Sequence, residues 1–447
     1  MTEKVKQQHM FSNKMIAGIL IPVVLEQLLN SIMGTADTMM VSNIGSAAIS
    51  AVSLVDSINI LVIQAFSALA AGGAIVCSQY IGQQNKKMAN ESARQVLFII
   101  SIAVSVLCLG FKKPLLRLIF GSVEADVMRA SETYFFYTAI SFPFIAAYDS
   151  AASIFRAQEN TKGPMLISMI SNAMNIVGNA IMIWIFHMGV AGAAISTLVS
   201  RIFCAVVVLI QLRKDRQPIV VRDYLKIRPD WAMIRRILGI GIPSGVENSM
   251  FQLGKLAIQS TVSTLGTTAI AAQAMTNILE NLNGMAAIGV GVGLMTIVGQ
   301  CMGADRKDEA VYYIKKLSVI AEVAIIVSCL LVFALTRPVT ALGGMEPASA
   351  KMCFHMVTWI TLVKPIVWTL AFVPAYGLRA AGDVKFSMIT SCLVMWLCRF
   401  CLCVILIRFL GFGPMGVWIG MFADWTVRAV IFTWRFHSRR WLRYKVI

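Results

Sequence analysis

Charge is what this chain has least of. Asp, Glu, Lys and Arg make up 14% of its 447 residues, while 58% are hydrophobic and the mean hydropathy is +0.75. A soluble domain of this length needs far more polar surface, which excludes most water-soluble enzymes and scaffolds. Histidine is rarer still, with four residues scattered at His9, His187, His355 and His437. No nucleophile–base pair is evident, so no enzymatic activity is expected. All ten cysteines fall in apolar stretches, which argues against an extracellular disulfide framework. "CRFCLC" (Cys398, Cys401, Cys403) has metal-like spacing but lies within an apolar span with no histidine beside it. Small packing residues are the expectation there, and neither a metal nor a cofactor is expected.

What the chain has in abundance is apolar length. Several windows reach the roughly 20 residues that cross a hydrocarbon core of about 30 Å. Backbone groups in lipid must be satisfied internally, and these windows are too long and too uniform for barrel strands, so they are helices. The predicted spans are 15–40, 54–80, 95–111, 133–154, 163–186, 189–212, 234–264, 277–301, 317–336, 353–376, 386–410 and 414–435. The fold class is therefore an all-α polytopic membrane protein of about twelve transmembrane helices. The first span has no small-residue cleavage site after it and reads as a retained helix rather than a signal peptide.

A formal charge of +17 suggests nucleic acid only until the basic residues are placed. Most Lys and Arg fall on the connections that lie on one side of a twelve-span chain, as the positive-inside rule expects of cytoplasmic loops. The expectation is a multi-pass protein of the cell (cytoplasmic, inner) membrane with both termini cytoplasmic. It touches anionic headgroups and binds no nucleic acid.

The second half restates the first. "IPVVLEQLLNSIMGTADTMMVSNIGSAAISA" from Ile21 aligns without gaps on "IPSGVENSMFQLGKLAIQSTVSTLGTTAIAA" from Ile242. The same register holds through Gln79/Gln300, Gly82/Gly303 and Lys86/Lys307, with about a quarter of the positions identical. A weaker echo pairs "FRAQENTK" (155–162) with "LRAAGDVK" (378–385). Six spans per half is an even number, so both halves enter from the same side and form a parallel repeat, as in alternating-access carriers. The expected organisation is an N-lobe over 1–212, a basic cytoplasmic linker over 213–232 and a C-lobe over 233–447.

The first-span segment "DTMMVSNIG" (37–45), the helix ends "QYIG" (79–82) and "QCMG" (300–303), and the loop "LRAAGD" (378–383) resemble the MATE (multidrug and toxic compound extrusion) family. The resemblance runs through nearly the whole chain in order. It implies a V-shaped pair of six-helix bundles that exports amphipathic, often cationic, compounds in exchange for H⁺ or Na⁺.

Polar residues inside the spans form stripes. Glu26, Asn30 and Asp37 share one face of the first span, and Ser168, Asn172, Asn175 and Asn179 share one face of the fifth. Such faces either join helices or line a wet cavity, and Asp37 either works in that cavity or caps its helix. The resemblance implies a coupling acid at Asp37 with Asn175 as its partner. It leaves Asn179 where a second acid is expected, so H⁺ is the expected coupling ion ahead of Na⁺.

The other half differs in charge. Lys255, Gln259 and Glu280 are expected in a substrate cavity with Asn30, Asn172 and Lys364. A Lys255–Glu280 ion pair is predicted, the alternative being a Lys255 that reaches the outer headgroups. The resemblance implies an acid on the tenth span, where this chain has Lys364. Lys364 is expected to pair with an acid or to contact an anionic part of a substrate. Glu26 and Glu247 occupy equivalent repeat positions and are expected to be structural, as are Asp424 and Arg428 at i, i+4. The reading that results is a monomeric secondary exporter of small molecules. Its alternative is a flippase or exporter of a lipid-linked or anionic amphiphile.

Overall fold

A computed structural model describes residues 9–42, 46–110, 125–214, 217–222, 224 and 227–447; the side chains of 35–39, 41, 42, 46–50, 54, 104–110, 125 and 127 lie outside the described set. Among the described residues the chain is helical, without strands. The first six helices are α1 (Asn13–Ser42), α2 (Ser46–Gly82), α3 (Lys86–Gly110), α4 (Ala125–Ala157), α5 (Lys162–Ala180, continued by a π turn at Ile181–Ile185) and α6 (Gly189–Leu212). The second six are α7 (Trp231–Val262), α8 (Thr267–Gly303), α9 (Lys307–Leu342), α10 (Pro347–Ala381), α11 (Val384–Leu393, a π turn at Val394–Phe400, then Cys401–Arg408) and α12 (Met415–His437). The fifth helix of each half thus carries a π turn, a feature that often marks functional positions.

Nine of these helices, among the described residues, are long and apolar enough to cross a membrane. Several outrun their predicted spans, because hydropathy marks only the most apolar part of a helix. The eighth span was expected to begin at 277, whereas α8 begins ten residues earlier, at Thr267. Ile366, Val319, Leu331 and Val430 are more than half exposed on the outer surface. An apolar belt of that kind needs lipid rather than water around it.

Each half centres a core that the other half completes, through Ile237 and Ile240 of α7 in one and Ile16 and Ile19 of α1 in the other. Phe66, Phe142, Phe155 and Val208 are buried among α2, α4 and α6, and Leu294, Tyr313, Ala371 and Phe432 among α8, α9, α10 and α12. The halves meet in a pseudo-twofold arrangement: α1 packs on α8, α2 packs on α7, and α2 crosses α8. At that crossing a Cβ on Gly82 would collide with the Gln300 carbonyl, and one on Gly303 with the Gln79 carbonyl. Only glycine lets the backbones approach so closely.

The neighbouring glutamines complete the exchange. Gln79 Nε2 donates to the Ala380 carbonyl at 2.8 Å, and Gln300 Nε2 to the Ala157 carbonyl at 3.1 Å. Both acceptors lie in the last turns of α10 and α4, where helix carbonyls have no intrahelical donor. Burial in the α4–α5 turn pushes the Glu159 carboxyl above its ordinary range, and the neighbouring Gln300 side chain opposes that. The repeat has built a reciprocal clamp at one end of the molecule.

Two connections add to it. The Phe11 amide donates to the Tyr313 hydroxyl at 2.8 Å, and that hydroxyl donates to the Phe11 carbonyl at 3.0 Å, tying the start of α1 to α9 of the other half. The segment after α6 lies against the first half, with Ile219 and Val221 buried and the Ile219 amide donating to Gln158.

Candidate functional site

The stripes of α1 and α5 face each other. Asn30 Oδ1 accepts from Ser168 Oγ at 2.9 Å and from Asn172 Nδ2 at 2.8 Å; Asn30 is exposed and Asn172 half-buried. The lower stripe turns to α6 instead: Asn175 Nδ2 donates to Thr197 Oγ1 at 3.2 Å, and Asn179 Nδ2 to Asn175 Oδ1 at 3.3 Å. Asp37 lies within the span of α1, but its side chain is outside the described residues.

Two further acids of this half escaped the stripe reading. Asp56 on α2 accepts from the Tyr134 hydroxyl and from Asn59 Nδ2, each at 3.2 Å. Asp149 on α4 lines a cavity of about 150 Å³ with Gln27 and Arg156 and with Met295 and Thr296 of α8. The signal was available, since an ionisable residue inside a span is a functional candidate by position alone.

Glu26 and Glu247 have equivalent partners. Arg156 Nη2 is 2.9 Å from Glu26, and Arg379 Nη2 is 2.9 Å from Glu247. Both arginines belong to the weaker echo, so each lobe joins its two duplicated motifs through one ion pair.

The second half holds a cavity of about 230 Å³ bordered by Lys255, Glu280, Arg399, Arg428, Trp368 and Trp425. Here the expected Lys255–Glu280 pair does not form. Glu280 pairs with Lys364, whose Nζ is 2.6 Å from Oε1 and 3.2 Å from the Glu280 carbonyl, and which also donates to Asn283. Among the described residues Lys255 has no carboxylate within 4 Å, and it lies 5.0 Å from the centre of the Phe251 ring. It is exposed to the cavity. Gln259, one turn further along α7, is exposed and does not border the cavity. The depth estimate failed because α8 starts earlier than hydropathy indicates. Glu280 lies thirteen residues along it, roughly 20 Å from its start at 1.5 Å per residue.

Asp424 meets Arg428 as the spacing predicts, Nε to Oδ1 at 2.9 Å, and also takes Arg399 Nη2 on its other oxygen at 2.6 Å. Arg399 sits in the π turn of α11 and is 2% exposed. Among the described residues no three His, Cys, Asp or Glu side chains gather into a metal-binding group.

Comparison with known proteins places this architecture. The chain is 26% identical over 431 residues to the uncharacterized transporter YisQ of Bacillus subtilis, covering 94% of this chain and 93% of that one. It is 24% identical over 442 residues to the probable multidrug resistance protein NorM of Thermotoga maritima, covering 97% and 94%. A solved structure described as the outward-facing conformation of a multidrug resistance MATE family transporter of the MOP superfamily shares the fold. Its TM-score is 0.88 over 95% of each chain, at 18% identity. The family model MatE matches twice, over residues 22–181 and 243–405, once on each copy of the internal repeat. The match of that model to both copies of the repeat, over most of the chain, shows that this chain belongs to the MATE family.

Proposed function

We propose that the protein is a secondary active exporter of amphipathic small molecules, driven by inward H⁺ movement and working by alternating access in the cytoplasmic membrane. The observation that carries this reading is the reciprocal clamp of Gln79, Gly82, Gln300 and Gly303. It joins the lobes at one end through duplicated residues, so the same contacts open together when the lobes rock. The basic connections near that end support a cytoplasmic assignment for it, with both termini on that side.

Asp37 is the coupling group in this account. Protonation removes its charge, lets the α1–α5 face repack and releases substrate, so proton and substrate compete through one linkage. H⁺ is favoured over Na⁺ because a single carboxylate on the α1–α5 stripes still takes a proton, whereas Asn179 supplies no second charge there for a metal ion. In the C-lobe the Lys364 ammonium neutralises Glu280.

The test is efflux from proteoliposomes under imposed pH or Na⁺ gradients. The expected result is flux that follows the pH gradient, responds little to Na⁺ and is largely lost in Asp37→Asn. Wild-type flux in Asp37→Asn would sink the assignment. A second reading, export or flipping of an anionic amphiphile, is favoured by the cations of the C-lobe cavity.

A further inference from the structure

We propose that the C-lobe cavity is a binding site for the acidic group of an aromatic substrate, a carboxylate held beside Lys255 and Arg399 with its ring among the tryptophans. The proposal rests on the exporter reading and specifies what that exporter holds in one lobe.

Charge balance comes first. Lys255, Arg379, Arg399 and Arg428 border the cavity against two acids, Glu247 and Glu280. Each of those acids is engaged, Glu247 by Arg379 and Glu280 by Lys364 from behind the wall. Asp424, fully buried, serves two guanidiniums at once. Five cations therefore share three carboxylates, and the excess positive charge falls on Lys255 and the Arg399–Arg428 pair. An uncompensated charge in a low-dielectric site is costly, and an incoming anion relieves that cost.

Donor geometry points the same way. Arg399 is 2% exposed, yet its Nε has no hydrogen-bond partner. The Ser391 hydroxyl, on the same cavity wall, is also buried without one. Lys255 adds an ammonium that is exposed to the cavity and unpaired. Lys255 Nζ and Arg399 Cζ lie 5.0 and 5.1 Å from the same Phe251 ring, so both cations border that ring. Native structures rarely leave buried donors open; two such donors and an exposed ammonium around one cavity fit a carboxylate, which only accepts.

The rest of the lining fixes the remainder of the ligand. Trp368 and Phe372 lie with ring centres 4.8 Å apart, and Tyr376 and Trp425 border the same space. Walls of that kind favour a flat ring over an acyl chain. The small volume suits one ring system and its acid, leaving the rest of a larger substrate in the cleft between the lobes.

The experiment uses the full chain in phosphatidylcholine nanodiscs, with no gradient present, so that failed coupling cannot mimic failed binding. Three probes share one ring system: 1-naphthoate, 1-naphthamide and 1-naphthylmethylammonium. Each is titrated at neutral pH by calorimetry. The expected result is naphthoate binding at least about tenfold tighter than the amide or the ammonium. Lys255→Gln is expected to remove that preference and Lys255→Arg to keep it. Lys255 holds no ion pair among the described residues, so neither change leaves a buried partner behind there. Equal or tighter binding of the amide or ammonium overturns the proposal. So does unchanged naphthoate affinity in Lys255→Gln, or no saturable naphthoate binding to the wild type.

Discussion

Replacing Asp424 by alanine is expected to cost about 3–5 kcal/mol of stability, the range found when one partner of a buried charge pair is removed. Asp424 is fully buried on α12 and neutralises both Arg399 from α11 and Arg428 from its own helix. Without it two guanidiniums face each other in a membrane interior. Arg428 keeps one acceptor, the Ser391 carbonyl at 3.0 Å, and Arg399 loses the carboxylate that holds it. Denaturant or thermal unfolding in micelles checks the effect, and a loss below about 1 kcal/mol contradicts it. Asp424→Asn is expected to be milder, since an amide oxygen still accepts one hydrogen bond. The triple replacement Asp424→Leu, Arg399→Met, Arg428→Met is expected to recover much of the loss, because apolar side chains of similar volume often match a buried ion network. It is also expected to lose naphthoate binding, which separates the network's part in holding the fold from its part in holding an anion.

The double substitution Gly82→Ala, Gly303→Ala is expected to abolish most transport while leaving the helices folded. Each new methyl meets a backbone carbonyl rather than a movable side chain, so the helices must part. Overpacking of this kind costs about 1–3 kcal/mol per site. Because the strain falls on a contact between lobes, it acts on the equilibrium between closed and open clamp more than on folding. A bias of that size shifts the two states by about 5–150-fold for each site. Proteoliposome efflux together with circular dichroism checks this. Unimpaired efflux contradicts the clamp's role, and lost helicity contradicts its placement between intact lobes.

Much of this architecture is legible in the sequence for a physical reason. The Gln79/Gly82 and Gln300/Gly303 pairs sit at a crossing where each copy contacts the other, so both copies carry the same constraint. The lone acids and bases lack that redundancy. Pairing Glu280 with Lys255 rests on a span begun at 277, ten residues after α8 starts, which misplaces Glu280 in depth. Lys364, seventeen residues into α10, lies roughly 26 Å from the start of its helix, nearer the depth of Glu280 than Lys255 is. Asp56 and Asp149 stood alone in apolar runs and formed no stripe, so a search for aligned faces passed over them. Arg399 was visible as an intramembrane cation. Its open Nε was not, because hydrogen-bond satisfaction is a property of the packed side chains.

The central claim, that the lobes exchange which end is closed, is tested most directly by paired spin-label distances in nanodiscs. One pair at Gln83 and Asp308 reports on the clamped end, and another at His187 and Thr264 on the opposite end; all four side chains are exposed. The account predicts reciprocal changes as pH or substrate is varied, the Gln83–Asp308 distance lengthening in the population where the His187–Thr264 distance shortens. Two distances that stay fixed, or lengthen together, in protein that still transports would contradict it.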